Sequence, residues 1–167
     1  MHNFIPTFVL SFFLYNFYMK IIKTDKNNRD DKLIDALVDV WEGSVLVTHL
    51  FLSKDEIEKI KLYVPNALRK IENLLVVTNS DNHPIAFMGI ENQKLEMLFV
   101  SAKERNNGIG TKLIQLGIKD YSIKELTVNE QNPNAKRFYE NNGFRVYKRT
   151  QTDKQSNPYP LLYMKLY

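Results

Sequence analysis

Two glycines stand in a short turn, Arg105-Asn106-Asn107-Gly108-Ile109-Gly110, between an apolar run and a stretch with apolar residues at helical spacing. A strand that ends in a glycine-containing turn and leads directly into a helix presents unpaired backbone N–H groups and the positive end of the helix dipole. Such a turn is suited to bind an anion, and phosphate groups can come close because glycine has no side chain. The turn alone is equally consistent with a helix start whose glycines only satisfy a tight bend.

Two common phosphate-binding loops do not match this turn. The dinucleotide-binding pattern G-x-G-x-x-G fails because Leu113 occupies the third glycine position. The Walker pattern fails because no Gly-Lys-Ser or Gly-Lys-Thr occurs in the chain. These two classes of nucleotide site are therefore excluded here.

A second segment, residues 128–147, combines a strand end, a short helix and the start of another strand. Asn132 is suited to cap the helix, Pro133 to occupy its first turn, and Asn142-Gly143 to end it. This predicts a helix over about 133–142.

Together the two segments resemble the signature motifs of the GNAT superfamily of N-acetyltransferases. The turn fits R/Q-x-x-G-x-G/A, five residues after the strand valine Val100. The second segment fits an Asn, then Ala-x-x-Phe-Tyr and a terminal Gly-Phe, at Asn132, Ala135, Phe138, Tyr139, Gly143 and Phe144. The resemblance covers nearly all of residues 19–167. It implies an α/β fold with a mixed sheet of about seven strands, about four helices, and a fourth and fifth strand that splay apart.

The resemblance also implies a function and a set of cofactor contacts. The implied reaction moves an acetyl group from acetyl-CoA to a primary amine of a small molecule, peptide or protein, by direct attack in a ternary complex and without a metal. The implied contacts to coenzyme A are Arg105, Asn107, Gly108, Gly110 and Thr111 at the turn, Leu98, Phe99 and Val100 along the pantetheine arm, and Asn132 and Ala135 on the following helix. The alternative function is a non-catalytic GNAT-fold module that binds acyl-CoA and regulates a partner protein.

Acetyl transfer to an amine needs stabilisation of the oxyanion, a proton for the departing thiolate and a route for the amine proton. The resemblance implies a backbone N–H near Leu98 for the oxyanion and Tyr139, with an ordinary pKa of about 10, as the acid. Glu96 is our choice of base because strand alternation predicts that it shares a face with Leu98 and Val100; it can equally be a solvated carboxylate or a substrate clamp. His49 follows the first helix, near the site where this family binds its acceptor. A histidine there is more typical of a packing or substrate-binding residue than of a base.

The elements that must position these residues alternate between strand and helix patterns. Ser53 with Glu56 forms a capping box that opens the second helix, which Pro65 ends or kinks. In that helix Ile57, Ile60 and Val64 are spaced for burial.

The predicted order of elements is β, α, α, β, β, β, α, β, α, β, β. The first half consists of strand 19–23, helices 29–47 and from 53, and an antiparallel meander of 74–78, 85–90 and 95–100. The second half consists of a helix after Gly110, strand 125–129, helix 133–142, and strands 144–152 and 161–167.

Composition sets the limits of these predictions. The chain has 167 residues, a net charge of +4, three histidines and no cysteine. The absence of cysteine excludes a disulfide framework, a thiol nucleophile and a cysteine-based zinc site, and the histidines are too scattered for a local metal motif. The mild charge favours small anionic ligands slightly and gives little support for nucleic-acid binding. We expect a cytoplasmic monomer or homodimer without stable membrane association.

Residues 1–18 differ from the rest of the chain. They contain no lysine or arginine and hold five of the ten phenylalanines. We expect them to be an extension outside the working domain, which we expect to start at Met19. A signal or membrane anchor is the alternative, although the positive region and the small-residue cleavage site of a signal are missing and the apolar stretch is shorter than the roughly 20 residues of a bilayer span.

Overall fold

The computed structural model describes residues 19–167, and the predictions for residues 1–18 lie outside the described residues. Within this range seven strands form one mixed sheet in the order β1-β2-β3-β4-β5-β7-β6. The strands are β1 Lys20–Thr24, β2 Asn73–Thr78, β3 Pro84–Glu91, β4 Lys94–Val100, β5 Glu125–Asn129, β6 Phe144–Thr150 and β7 Leu161–Leu166. The helices of the same range are α1 Asp31–Thr48, α2 Lys54–Lys61, α3 Val64–Lys70, α4 Ile109–Tyr121 and α5 Pro133–Asn141.

The sheet consists of two antiparallel parts joined by one parallel pair. Strands β1 to β4 pair antiparallel in chain order, which confirms the predicted meander. Strand β5 pairs antiparallel with β7, and β7 with β6. The parallel pair is β4 with β5. The predicted fold class is therefore confirmed.

The sheet separates two hydrophobic cores. On one side, α1 and α3 pack on the sheet around side chains such as Leu37, Leu68 and Phe87. On the other side, α4 packs on side chains that include Met88 and Phe144. Phe87 and Met88 are neighbours in β3 and enter opposite cores, because successive strand residues point to opposite faces.

The helix ends match the sequence predictions at two places and differ at a third. Ser53 and Glu56 form the predicted capping box, and the Asn132 side chain accepts from the N–H of Ala135, as a cap does. The predicted end at Pro65 is wrong, because α2 ends at Lys61 and Pro65 lies in the first turn of a separate helix, α3. Proline is tolerated there since the N–H that it lacks has no partner in a first turn.

The second predicted helix is thus divided into α2 and α3, and not all of its predicted core residues are buried. Ile57 on α2 and Val64 on α3 are buried as predicted. Ile60 is 39% exposed, so the prediction of its burial is wrong. Its position in the last turn of α2, before the chain changes direction, removes it from the face that Ile57 buries.

Strand β4 contains a β-bulge at Glu96. Leu95 pairs with Ile90 and Met97 pairs with Gly89, so Glu96 is an extra residue without an opposite partner. The bulge shifts the alternation by one residue, and Leu95 instead of Glu96 enters the core beside Leu98. The strand alternation on which the choice of Glu96 was based therefore breaks at Glu96 itself.

The parallel pairing of β4 with β5 stops where the bulge begins. It joins only Lys94 to Glu125 and Leu95 to Leu126. Beyond this point β5 remains paired with β7 as far as Asn129, and β4 with β3 as far as Val100. The two strands separate, and the edge of β4 that faces β5 is left without a strand partner.

Arg29 joins the first strand and helix to the end of α3. Its guanidinium donates to the carbonyls of Leu68 at 2.8 Å and Ile71 at 2.7 Å, and to the hydroxyl of Thr24 at 3.0 Å. The residue is only 6% exposed. Removing such a donor leaves buried carbonyls without partners.

We expect Arg29→Met to lower the free energy of unfolding by about 2–3 kcal/mol, measured by urea denaturation. Arg69→Met is the matched control, because Arg69 makes an exposed ion pair with Asp31 at 2.6 Å. The control change is expected to stay within about 1 kcal/mol. Equal effects of the two substitutions would contradict the buried role of Arg29.

Candidate active site

A cavity of about 910 Å³ lies where β4 and β5 separate. Its walls come from the end of α1, the second half of β4, the glycine turn, the start of α4, and α5. The lining residues are Ser44, Val47, Thr48, His49, Leu98, Phe99, Val100, Ala102, Glu104, Arg105, Asn106, Gly108, Ile109, Gly110, Thr111, Asn132, Asn134, Ala135, Arg137, Phe138, Tyr139 and Asn141. A volume of this size fits a large organic ligand.

One end of the cavity is built to bind an anion. Gly108 caps α4 with a φ of +77°, a conformation that favours glycine, and no side chain caps this helix. The N–H groups of Ile109, Gly110 and Thr111 have no acceptor within the helix, because the first helical bond runs from Lys112 to Gly108. These donors and the helix dipole favour a phosphate at this end.

Two further features suit this end to a phosphate-containing ligand. The guanidinium-bearing residues Arg105 and Arg137 both line the cavity. A Cβ added at Gly110 would lie 3.4 Å from the ring of Phe138, an ordinary contact distance, so the start of α4 lies against Phe138 of α5. The apolar stretch Leu98–Val100 continues the same wall toward the other end of the cavity.

Tyr139 is held on α5 by other aromatic rings. Its ring centroid lies 5.1 Å from that of Phe138 and 6.2 Å from that of Phe144, both in edge-on geometry. Burial raises the pKa of the Tyr139 hydroxyl above its ordinary value. The hydroxyl therefore stays protonated at neutral pH and can donate a proton or a hydrogen bond.

The end of α1 supplies a histidine to the same cavity. The His49 ring lies 5.4 Å from the Phe51 ring, and its Nδ1 is 2.8 Å from the hydroxyl oxygen of Thr48. Burial lowers the pKa of His49 below its ordinary value. A neutral imidazole is the favoured form at neutral pH.

A contact between two distant loops extends this wall. The Phe51 ring packs against Tyr159 at 5.6 Å, and the Tyr159 hydroxyl donates to the carboxylate of Glu56. This contact joins the loop after α1 to the loop between β6 and β7. Glu56 also accepts from the N–H and the hydroxyl of Ser53.

The structure brings most of the predicted site residues together. Eleven of the thirteen line the cavity: His49, Leu98, Phe99, Val100, Arg105, Gly108, Gly110, Thr111, Asn132, Ala135 and Tyr139. Asn107 lies in the turn but does not line the cavity, and its side-chain amide donates to Glu104 at 3.4 Å. Glu96 forms an ion pair with Lys94 at 2.5 Å and borders a smaller cavity of about 380 Å³ at the β3–β4 turn.

Sequence reasoning missed several residues around the end of α1. Thr48 and Ser44 line the cavity as part of the last turns of α1. The bond from Thr48 to Ser44 and the contact of Thr48 with His49 follow from helix geometry once the helix end is known. The contact between Glu56 and Tyr159 joins residues 103 positions apart, so no local pattern signals it.

Residues 19–167 form neither a metal centre nor a membrane span. No group of three or more histidine, aspartate or glutamate side chains in this range is placed to hold a metal ion. None of the helices in the same range is long and apolar enough to cross a bilayer.

Comparisons with known proteins identify the family to which this fold and this cavity belong. The model of the acetyltransferase (GNAT) domain matches residues 50–166, which include the glycine turn, α4 and α5. The chain belongs to the GNAT acetyltransferase family. A relative of this acetyltransferase is the peptidyl-lysine N-acetyltransferase YjaB of Escherichia coli K12, which is 34% identical over 132 residues, or 77% of this chain and 86% of the relative.

Solved structures agree with the fold of this acetyltransferase. The solution structure of apo-form YjaB from Escherichia coli has a TM-score of 0.77 at 30% identity, over 88% of this chain and 96% of that one. The PaiA N-acetyltransferase of Thermoplasma acidophilum, crystallised with coenzyme A, has a TM-score of 0.65 at 23% identity, over 89% of this chain and 99% of that one. The second likeness concerns the fold.

The link between Glu56 and Tyr159 predicts how the stability of the acetyltransferase depends on pH. Hydrogen bonds from Ser53 and Tyr159 lower the pKa of Glu56 to about 2, below the value of about 4.3 expected in an unfolded chain. A carboxyl with a lowered folded pKa contributes stability above its unfolded pKa, and this contribution disappears as the pH falls toward the folded pKa. We expect the difference in unfolding free energy between the unaltered protein and Glu56→Gln to shrink from pH 5 to pH 2, in urea denaturation.

Glu58→Gln is the control for this measurement. Glu58 lies on the same helix and is exposed, whereas the hydrogen bonds from Ser53 and Tyr159 go to Glu56. Its difference from the unaltered protein is expected to change little over the same pH range. If the difference in unfolding free energy for Glu56→Gln is constant from pH 7 to pH 2, the hydrogen bonds to Glu56 do not stabilise its ionised form.

Proposed function

We propose that this acetyltransferase transfers the acetyl group of acetyl-CoA to the side-chain amine of lysine in a peptide or protein. The observation that carries the proposal is a cavity beside the second half of β4, which joins an anion-binding helix start to Tyr139 and His49. The YjaB relative is a peptidyl-lysine N-acetyltransferase, which supports the choice of acceptor.

The residues of the cavity fit coenzyme A. The uncapped N–H groups at the start of α4, together with Arg105, are suited to the pyrophosphate, and Asn107, Gly108, Gly110 and Thr111 are the proposed contacts of the turn. Leu98, Phe99 and Val100 offer an apolar wall for the pantetheine arm, and Asn132 and Ala135 face it from α5. When bound, acetyl-CoA supplies an acetyl group activated as a thioester.

The free edge of β4 and Tyr139 have complementary tasks. Beyond Leu95 this edge has no strand partner, so its backbone N–H groups near Leu98 can donate to the acyl oxygen as negative charge develops there. Tyr139 holds its proton at neutral pH because burial raises its pKa. It can therefore deliver this proton to the sulfur of the departing thiol.

A lysine amine must lose its proton before it attacks, because its ordinary pKa is about 10.4. The acceptor end of the cavity includes His49, which we assign to the acceptor site, and the Phe51–Tyr159 contact closes the neighbouring wall. Apolar and aromatic surface of this kind suits the aliphatic stem of lysine.

Gly108→Ala is expected to weaken coenzyme A binding about tenfold or more, measured by isothermal titration calorimetry. The added Cβ meets no protein atom within 4 Å, but the φ of +77° disfavours alanine, so the turn must move its N–H groups. Gly43→Ala is the matched control, since a Cβ there also meets nothing within 4 Å and Gly43 lies within α1. Unchanged affinity in Gly108→Ala would contradict a phosphate site at this turn.

Tyr139→Phe is expected to lower kcat about 100-fold or more, while the Kd for acetyl-CoA changes little. The assay follows acetylation of lysine peptides by mass spectrometry. Tyr147→Phe serves as the control, because Tyr147 is an exposed tyrosine on β6 that donates to Glu125. If the unaltered protein acetylates no lysine peptide, the proposed acceptor is wrong; if Tyr139→Phe keeps full kcat, the proposed acid is wrong.

A further inference from the structure

The end of α1 fixes which ring nitrogen of His49 carries the proton. The Thr48 hydroxyl donates its one hydrogen to the carbonyl of Ser44, at 2.7 Å. The same oxygen lies 2.8 Å from Nδ1 of His49 and has no second hydrogen to give. Nδ1–H must therefore donate to the Thr48 oxygen, which leaves the lone pair of the neutral imidazole on Nε2.

Nε2 is available for chemistry. Within residues 19–167 no hydrogen-bond partner of Nε2 occurs, and this nitrogen is not among the buried polar atoms that lack a partner. His49 lines the cavity that also holds Tyr139 and the free edge of β4. The backbone N–H of His49 is bonded to the carbonyl of Val45, and the Phe51 ring packs on the imidazole, so the position of the ring is fixed.

We propose that His49 is the general base of the reaction and that Thr48 is a positioning residue that holds it in the Nδ1–H tautomer. This rests on the proposed function, because the base acts on the acceptor amine of that reaction. It replaces our sequence-based choice of Glu96, which is paired with Lys94 and does not line the cavity.

The transfer of the acetyl group to lysine, with His49 as base, balances in atoms and protons. The lysine ammonium releases one proton to solvent as it enters the cavity, and the neutral nitrogen attacks the carbonyl carbon. A C–N bond forms, the C–S bond breaks, and Nε2 of His49 accepts the second proton that the nitrogen loses. Tyr139 gives its proton to the sulfur and regains one from solvent, and His49 returns its proton to solvent. The net result is an amide, a free thiol and one proton.

The surroundings of His49 keep it a base at neutral pH. Burial lowers the pKa of His49, which disfavours the imidazolium. The charged and titratable groups that line the same cavity are Glu104, Arg105, Arg137 and Tyr139. On the neighbouring loops, Tyr159 and Glu56 are bonded to each other.

The first test determines the tautomer of His49 by NMR and does not require enzymatic turnover. In 15N-labelled protein, the imidazole nitrogen shifts of His49 are expected to show the Nδ1–H form above the His49 pKa. Thr48→Val removes the hydroxyl and is expected to shift the ring toward the Nε2–H form, while Thr48→Ser keeps the hydroxyl and the original tautomer. An unaltered tautomer in Thr48→Val would overturn the positioning role of Thr48.

The second test measures lysine-peptide acetylation from pH 5 to pH 8. His49→Gln is expected to lower kcat about 100-fold with a small change in the KM for the peptide. His83→Gln is the matched control, because His83 is exposed on the β2–β3 turn. The kcat of Thr48→Val is expected to lie between those of His49→Gln and the unaltered protein, and Thr48→Ser to restore it.

The pH profile separates a base from a substrate contact. If His49 is the base, log kcat/KM rises with a slope of two below the His49 pKa found by NMR, where histidine and amine both titrate, and with a slope of one above it. His49→Gln is expected to show a slope of one throughout. A variant that raises only KM and keeps the break in slope would overturn the proposal, and unaltered turnover in His49→Gln would do the same.

The failure of this inference is distinguishable from the failure of the proposed function. If the unaltered protein acetylates no lysine peptide, the proposed acceptor is wrong. The NMR experiment then still tests the tautomer of His49, because it does not depend on turnover. If lysine acetylation occurs and His49→Gln behaves like His83→Gln, the proposed function holds and the role of His49 as base is wrong.

Discussion

The parting of β4 from β5 is the constraint on which the rest of this structure depends. A strand can hydrogen-bond along both edges only while both neighbours stay at bonding distance and follow its twist. Here β5 remains with β7 and β4 remains with β3, and the bulge at Glu96 adds local twist to β4 just after the last bond to β5. The result is a wedge lined by a strand edge whose backbone groups face a cavity instead of another strand.

The elements around this wedge divide it into two chemical ends. The glycine turn and α4 bring uncapped N–H groups to one end, where negative charge is favoured. The last turn of α1 brings His49 to the other end, where burial lowers the pKa of the imidazole and favours its neutral form. Tyr139 on α5 lines the same cavity, with a raised pKa that keeps it a proton donor. The proposed function assigns an anionic donor substrate to the first end and a basic acceptor to the second.

Local sequence signals predicted much of this arrangement. Ser53 with Glu56 and Asn132 with Pro133 predicted helix starts because capping uses residues close in sequence. The two motif segments and the strand end before the first of them predicted ten of the eleven lining residues for the same reason, all but His49. The bulge could not be predicted, since strand alternation assumes that every residue has an opposite partner. The separate helix α3 and the Glu56–Tyr159 contact depend on tertiary packing, which no single segment specifies.

The most direct test of the central claim is to follow the backbone amide signals of 15N-labelled protein while coenzyme A is added. The account predicts that the largest shift changes fall on the amides of Gly108, Gly110 and Thr111 and on those of Leu98–Val100, along the walls of the wedge. Changes concentrated on Glu91–Lys94 and Glu125, around the smaller cavity, would contradict it, because the ligand would then bind where β4 and β5 are still paired.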